Sequence, residues 1–302
     1  MSLSPSASKA RDARSAETEA TLSTPLDDVD VVPFLKWPGG KRWFVYHHNH
    51  LFPKKYRRYI EPFLGGGAVF FHLKPRKAII ADRNPDLISA YIGVRDHWSE
   101  VEELLKKHQK KHSERHYYNV RARDPKDIVE QAARLIYLNR TCFNGIYRVN
   151  VEGKFNVPKG TKDSVILPTD NFEGISKLLR RADIRCTDFE TIIDAAKEGD
   201  FVFADPPYTV KHNNNGFRQY NEKLFSWDDQ QRLAKALRRA RDRGALILST
   251  NANHSSVREL YSAEGFEQKE VSRSSVMASD VKNRKRIEEL VITANLIGPN
   301  NE

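Results

Sequence analysis

Tyr59-Ile60-Glu61-Pro62-Phe63-Leu64-Gly65-Gly66-Gly67-Ala68-Val69-Phe70 runs from a short strand through a glycine turn into the start of a helix. A second apolar run, Ala78-Ile79-Ile80-Ala81, follows about fifteen residues later and ends in Asp82. Together they read as the first half of a nucleotide-type α/β unit. Glycines let the backbone approach a ligand closely, and an acid on the next strand can hold a ribose. If Gly65 and Gly67 opened a dinucleotide fingerprint, its third glycine would fall at Phe70, which disfavours a pyrophosphate and prefers an adenosine without phosphate. Gly39-Gly40-Lys41 makes no P-loop either, because Leu35 and Arg42 stand where a glycine and a Ser or Thr are needed.

Further along, Asp183-Ile184-Arg185-Cys186-Thr187-Asp188-Phe189 reads as a third strand and its end, yet 106 residues separate Asp188 from Asp82. One helical crossover needs only about 30, so roughly seventy residues are surplus. They form an inserted lobe between Gly93 and Pro168. Beyond it the rhythm resumes: Phe201–Ala204 a strand, Trp227–Arg243 an amphipathic helix, Ala245–Ser249 a strand and Ile287–Leu296 a final strand after a connection containing glycine and serine. Strands alternating with helices predict an α/β fold with a mostly parallel, doubly wound sheet.

Phe201–Ala204 runs directly into Asp205-Pro206-Pro207-Tyr208. The prolines fix φ and lack N–H groups, so they end the strand and hold the acceptors of this turn still. The Asp205 side chain and the Pro206 carbonyl can each accept one N–H of a planar exocyclic amine, drawing its nitrogen toward tetrahedral and freeing a lone pair for attack, while Tyr208 stacks on the ring.

Composition sets outer bounds. The chain has 302 residues, 39% of them hydrophobic and 30% charged, which suits a globular domain. No apolar stretch approaches the roughly 20 residues of a membrane span and no signal core opens the sequence, so a cytoplasmic protein without a membrane partner is expected. Two cysteines, Cys142 and Cys186, are too few for a disulfide framework or a Cys-rich zinc site, and the cluster His47, His48, His50 lacks a second ligand group, so no metal is expected. A formal charge of +10 favours a polyanionic partner. Met1–Asp30 has the Ser-, Ala- and Thr-rich make-up of a disordered tail.

The insert carries the basic chemistry. Lys106, Lys107, Lys110, Lys111, Arg115, Arg121 and Arg123 are interleaved with Tyr117 and Tyr118, which suits phosphates. In Leu138–Pro158, Asn144-Gly145 and Glu152-Gly153 read as turns, the second joining two strand-like runs into a hairpin. A two-stranded ribbon fits a DNA major groove, where Arg148 can read guanine and Ile146 can touch a thymine methyl. Lys282, Arg284, Lys285 and Arg286 could hold phosphates, and Thr209–Trp227 reads as a loop beside the pocket whose Tyr220 could close over a base.

These residues carry a resemblance. From Phe34 to Leu296 the chain resembles the Dam-like DNA adenine-N6 methyltransferases of the DPPY group. Phe34-Leu35-Lys36-Trp37-Pro38-Gly39-Gly40-Lys41 is similar to that family's N-terminal cofactor motif, Glu61–Gly67 to its EPFxGxG, Ala81–Asn84 to its ADxN, and Leu138–Pro158 to its LNRxxxNGxxRxN…FNVP segment.

The resemblance implies a Rossmann-like methyltransferase sheet with an inserted helical plus β-hairpin target-recognition lobe. The catalytic domain would comprise residues 31–92 and 169–297, the recognition insert 93–168, with tails at 1–30 and 298–302. It implies S-adenosyl-L-methionine as cofactor, bound by Trp37, Lys41, Glu61, Phe63, Gly65, Gly67, Asp82, Asn84, Asp188, Phe189 and Asp205. It implies double-stranded DNA as partner, met by Lys36, Phe143, Asn144, Ile146, Arg148 and Pro158, with Phe143 and Asn144 filling the opened base pair. The expected enzyme is a monomer associated with the nucleoid that flips an adenine, in the site GATC, onto the catalytic Asp205, Pro206, Pro207 and Tyr208. The rival readings are an RNA or protein amino-methyltransferase, which usually carries Asn in place of Asp205, and an inactive DNA-binding regulator, whose pocket would be broken. A cytosine-C5 enzyme would need a Pro-Cys pair, and Cys142 follows Thr141 while Cys186 follows Arg185.

Overall fold

A computed structural model describes residues 31–150, 152–210, 225–274 and 286–296. The tail 1–30, Tyr220 with most of its loop, Lys282, Arg284, Lys285 and the terminal 298–302 lie outside the described residues.

Seven strands form one sheet in the order β3-β2-β1-β4-β5-β7-β6. They are β1 (Tyr59–Glu61), β2 (Ala78–Asp82), β3 (Ala182–Cys186), β4 (Phe201–Ala204), β5 (Leu246–Ala252), β6 (Glu267–Ser274) and β7 (Arg286–Ala294). The first five pair in parallel, whereas β7 runs antiparallel between β5 and β6. Central β1 and β4 are buried at every position, as a strand covered on both faces must be. Outer β3 instead exposes Asp183, and a charged edge strand resists pairing with another chain.

Alternate residues of these strands enter two cores. Tyr59, Ile80, Phe201 and Phe203 face one cluster, and Ile60, Ile79, Val202 and Ala204 face the other, the period-two pattern of a pleated sheet. The first cluster is shared with α1 (Arg42–His48), α2 (Ala68–Leu73), α3 (Pro85–Lys111), α4 (Glu114–Ala122), α5 (Ile128–Thr141) and α6 (Phe172–Leu179). The second is shared with α7 (Phe189–Asp194), α8 (Trp227–Asp242) and α9 (Ser255–Ala263). Helices on both faces make the sheet doubly wound.

The helix starts follow from their caps. Asn84 accepts the N–H groups of Asp86 and Leu87 to open α3, with Pro85 at its first position. Ser226 and Asp229 form a reciprocal capping box at α8. α3 kinks at His97 and crosses α5 where Gly93 meets Ala132; a Cβ at Gly93 would stand 2.6 Å from that of Ala132.

Two regions differ from the sequence expectation. α9 and β6 occupy what reads as a connection before the last strand. Among the described residues, the hairpin at Glu152-Gly153 shows one bridge, Val149 to Phe155, with Asn150 N–H donating to the Lys154 carbonyl and Asn156 N–H to that of Arg148. Its arms are too polar to bury as a ribbon: Arg148, Asn150 and Lys154 are exposed, while Phe155 and Val157 anchor the return arm in the core.

Candidate active site

The sheet reverses its winding between β1 and β4, and in open α/β sheets the crevice beyond the carboxyl ends of such strands is where ligands bind. Glu61 ends β1, Asp82 ends β2 and Asp205 follows β4, so the three carboxyl groups converge there from distant parts of the chain.

Asp82 accepts the Gly65 N–H at 3.1 Å and the Asn84 N–H at 2.9 Å. These bonds oppose the effect of burial, which nevertheless raises the carboxyl above its ordinary range. Gly65 has φ +47°, and a Cβ on it would stand 2.8 Å from the Trp37 indole, so the turn closes against that ring only without a side chain. Gly67 (φ +67°) opens α2, and its Cβ would meet the Tyr91 hydroxyl at 2.8 Å. Glu61 is buried and accepts the Tyr59 hydroxyl at 2.9 Å. Burial pushes its carboxyl well above the usual range, and the charges of Asp205 and Asp82 push the same way.

Beside the β2 end, Asp188 caps α7 through the Glu190 N–H and pairs with Arg232 at 2.9 Å. Phe189 stacks on Phe63 with ring centroids 5.4 Å apart, and the Arg232 guanidinium lies 4.9 Å from the Phe189 ring centroid.

Asp205 Oδ1 receives the Thr250 hydroxyl at 2.7 Å and the Lys41 ammonium at 2.9 Å. Burial raises its carboxyl, Lys41 and Thr250 counteract that, and Glu289 adds to it. The Tyr208 hydroxyl donates to Glu289 Oε2 at 2.6 Å, and Ser249 donates to the Ala204 carbonyl at 2.8 Å just before the Pro-Pro turn. Pro206 is buried, and Pro207 and Tyr208 are partly exposed. Lys41 therefore joins the Asp205 group rather than the Gly65–Asp82 turn.

The candidate base-reading residues form one exposed ridge. Phe143, Asn144, Ile146, Arg148, Pro158 and Lys36 are all exposed. Phe143 N–H donates to the Pro158 carbonyl at 2.9 Å, and Asn144 (φ +55°) and Gly145 (φ +65°) bend the chain so that Gly145 packs on the Lys36 side chain. Asn139 grips the Lys36 backbone at both ends, accepting its N–H at 2.9 Å and donating to its carbonyl at 2.8 Å. Burial and the neighbouring Lys162 lower the pKa of Lys36. Between the exposed Ile146 and Arg148, Tyr147 turns inward, stacks on Trp37 with centroids 5.0 Å apart, and donates its hydroxyl to Asp86 at 2.8 Å. Tyr117, by contrast, is fully buried and donates to the Val157 carbonyl, so it supports the ridge from beneath.

Thr250, Glu289, Asn139 and Tyr147 escaped the sequence reading. Asn139 and Tyr147 lie in a stretch with a signal, the Leu138–Pro158 segment; Thr250 and Glu289 do not.

Among the described residues no group of three or more His, Cys, Asp or Glu could hold a metal, and no helix is long and apolar enough to cross a membrane.

A sequence profile of the D12 class N6 adenine-specific DNA methyltransferases matches residues 37–276. The chain is 36% identical to the type II methyltransferase M1.LlaDCHI of Lactococcus lactis subsp. cremoris, over 88% of this chain and 96% of that one. It is 37% identical to the type II methyltransferase M.MjaIII of Methanocaldococcus jannaschii, over 87% and 99%. With the DNA adenine methylase of Escherichia coli strain K12 the identity is 29%, over 85% and 93%. The chain belongs to the D12 class N6 adenine-specific DNA methyltransferases. It is an enzyme acting on DNA, and the family implies S-adenosylmethionine as its methyl donor.

Proposed function

We propose that the enzyme flips an adenine out of duplex DNA into the Asp205–Tyr208 pocket and methylates its N6 directly, within the site GATC. The observation that carries this reading is the meeting, beyond one end of the sheet, of a buried acceptor turn and a glycine turn ringed by carboxyl groups. The raised Glu61, Asp82 and Asp205 fit a cationic donor, whose positive charge would favour their ionised forms. S-adenosyl-L-methionine supplies a methyl group on a sulfonium that is already a good leaving group.

The protein supplies placement. Trp37, Gly65, Gly67 and Asn84 shape the turn that receives the donor, Glu61 and Asp82 face it, and Phe63, Asp188 and Phe189 border its adenine end. Asp205 and the Pro206 carbonyl orient the target amine, Pro207 keeps the turn rigid, and Tyr208 covers the base. Lys36, Asn144, Ile146, Arg148 and Pro158 read the flanking bases, and Phe143 and Asn144 fill the space left in the duplex. Phe143, 52% exposed, and Ile146, 39% exposed, are apolar side chains of the kind an interface covers.

We assign residues 93–168 to recognition, and 31–92 with 169–297 to catalysis. The protein is read as a monomer working on nucleoid DNA in the cytoplasm.

The test has two arms. Asp205→Ala should abolish incorporation of labelled methyl groups while duplex affinity stays within about tenfold, because phosphate contacts supply most of it. Turnover above a few per cent, by roughly the same reasoning, would remove Asp205 from the pocket. Plasmid from expressing cells that lack other adenine methylation should resist an endonuclease blocked at methylated GATC; full cutting, with N6-methyladenine present elsewhere, would refute the site alone.

A further inference from the structure

Glu289 lies on β7, paired with Ala252 of β5 and Val271 of β6, and is 1% exposed. A carboxylate so placed is expensive to desolvate unless strong partners compensate. Its partners include Tyr208, in the Asp205–Tyr208 turn, and Lys41. Oε2 accepts the Tyr208 hydroxyl at 2.6 Å and stands 3.5 Å from Lys41 Nζ. That ammonium is 2.9 Å from Asp205 Oδ1, donates to the Gly39 carbonyl at 3.0 Å, and lies 5.0 Å from the Tyr208 ring centroid. One cation thus joins two carboxylates and one face of the tyrosine.

We propose that Glu289 is a positioning residue for methyl transfer: it holds Tyr208 by its hydroxyl and shares Lys41 with Asp205, so that ring and acceptor keep one relative placement. This rests on the reading that the Asp205–Tyr208 turn receives the adenine. A tyrosine tethered only at Cβ can swing about two torsions. A bond at the far end of the ring to a carboxyl oxygen that itself stands beside Lys41 removes that freedom. A displacement at nitrogen depends steeply on how the base lies relative to the methyl group, so fixing the ring acts on the rate of transfer rather than on binding.

The measurement is single-turnover transfer of labelled methyl from S-adenosylmethionine to unmethylated plasmid DNA, with cofactor affinity, DNA affinity and melting temperature determined alongside. Tyr208→Phe keeps the ring and deletes only its tether, and Glu289→Gln keeps the acceptor oxygen and deletes the charge. Each should slow transfer by about tenfold or more with both affinities within about threefold. Because the two residues act as a unit, the double variant should be no more than about threefold slower than the slower single variant. Retention of the rate within about twofold in Tyr208→Phe, or losses that multiply in the double variant, would overturn the proposal. Should Glu289→Gln fail to fold, Glu289→Asp replaces it; its charge is intact but its reach is too short for Tyr208, and it too should be slow. Wild-type protein that transfers no methyl to DNA adenine would bring down the functional reading itself. An active wild type with unaffected variants removes only the role of Glu289.

Discussion

Glu61 ends the shortest strand of the sheet, and its carboxyl is held above the ordinary range by burial and by two neighbouring acids. In the native state it keeps its proton to a higher pH than in the unfolded chain, where a glutamate ionises near about 4.3. Between those values the native state binds more protons, so the contribution of Glu61 to stability is full below the unfolded pKa and falls as pH rises toward the native one. Glu61→Gln removes that loss while retaining an acceptor for the Tyr59 hydroxyl. In thermal melts from about pH 5 to 8, the melting temperature of the variant minus that of wild type should increase steadily. A constant difference would show that Glu61 is ionised throughout. The sequence displays Glu61 and Asp205 plainly, because each sits at a strand end marked by proline. It does not display Glu289 or Thr250. Those lie within β7 and β5, and only the pairing of distant strands brings them to Asp205.

At the scale of elements, α5 shows why a recognisable segment can mislead about its task. Leu138-Asn139-Arg140 reads as part of a DNA-facing stretch, yet these residues are buried and act as struts. Arg140 forks onto Asp170 at 2.6 and 2.7 Å and donates to the carbonyls of Phe34 and Val165, tying the last turn of α5 to segments before β1 and before α6. Removing one partner of a buried ion pair strands the other, so Arg140→Ala should lower the unfolding free energy by about 3–5 kcal/mol in urea titrations. A loss under about 1 kcal/mol would mean that the fork is solvated in solution. The central strands were legible because apolar runs beside glycine and proline have few other readings. β6, Glu267–Ser274, was not: it is an edge strand with one apolar residue in the buried core, Val271, and its order comes from β7. The hairpin was legible as a turn, Gly153 having φ +76°, but the mixture of exposed Arg148, Asn150 and Lys154 with buried Phe155 and Val157 gave no measure of its pairing.

Over the whole molecule, the formal charge of +10 is not spread evenly in its consequences. In α3, Lys106 is engaged by Glu102 at 3.2 Å, whereas Lys107, Lys110 and Lys111 are exposed and have no acidic partner among the described residues. The end of α3 meets the chain beyond the reading ridge, since Gln109 accepts the Val165 N–H and donates to the Asp163 carbonyl. If the ridge reads bases as proposed, Lys110 and Lys111, next to Gln109 in sequence and exposed, are the cations expected to meet phosphates nearby. Arg148 is placed differently. Its Nε donates to Asn156 Oδ1 at 2.9 Å and the residue is exposed, so the two terminal nitrogens are left for the bidentate contact that guanine would offer. Contacts to phosphate position the duplex and contacts to base edges specify it, so the two kinds of variant should separate cleanly. Lys110→Ala should weaken all duplexes alike and reduce the slope of log affinity against log salt by about 1. Arg148→Ala should leave the affinity for non-specific duplex nearly unchanged and lose about 1–3 kcal/mol of discrimination at one base pair of the site. Binding titrations at several salt concentrations, run with cognate and single-substituted duplexes, measure both effects. An unchanged slope in Lys110→Ala would take the end of α3 off the DNA path, and undiminished discrimination in Arg148→Ala would remove Arg148 from the proposed base-reading set.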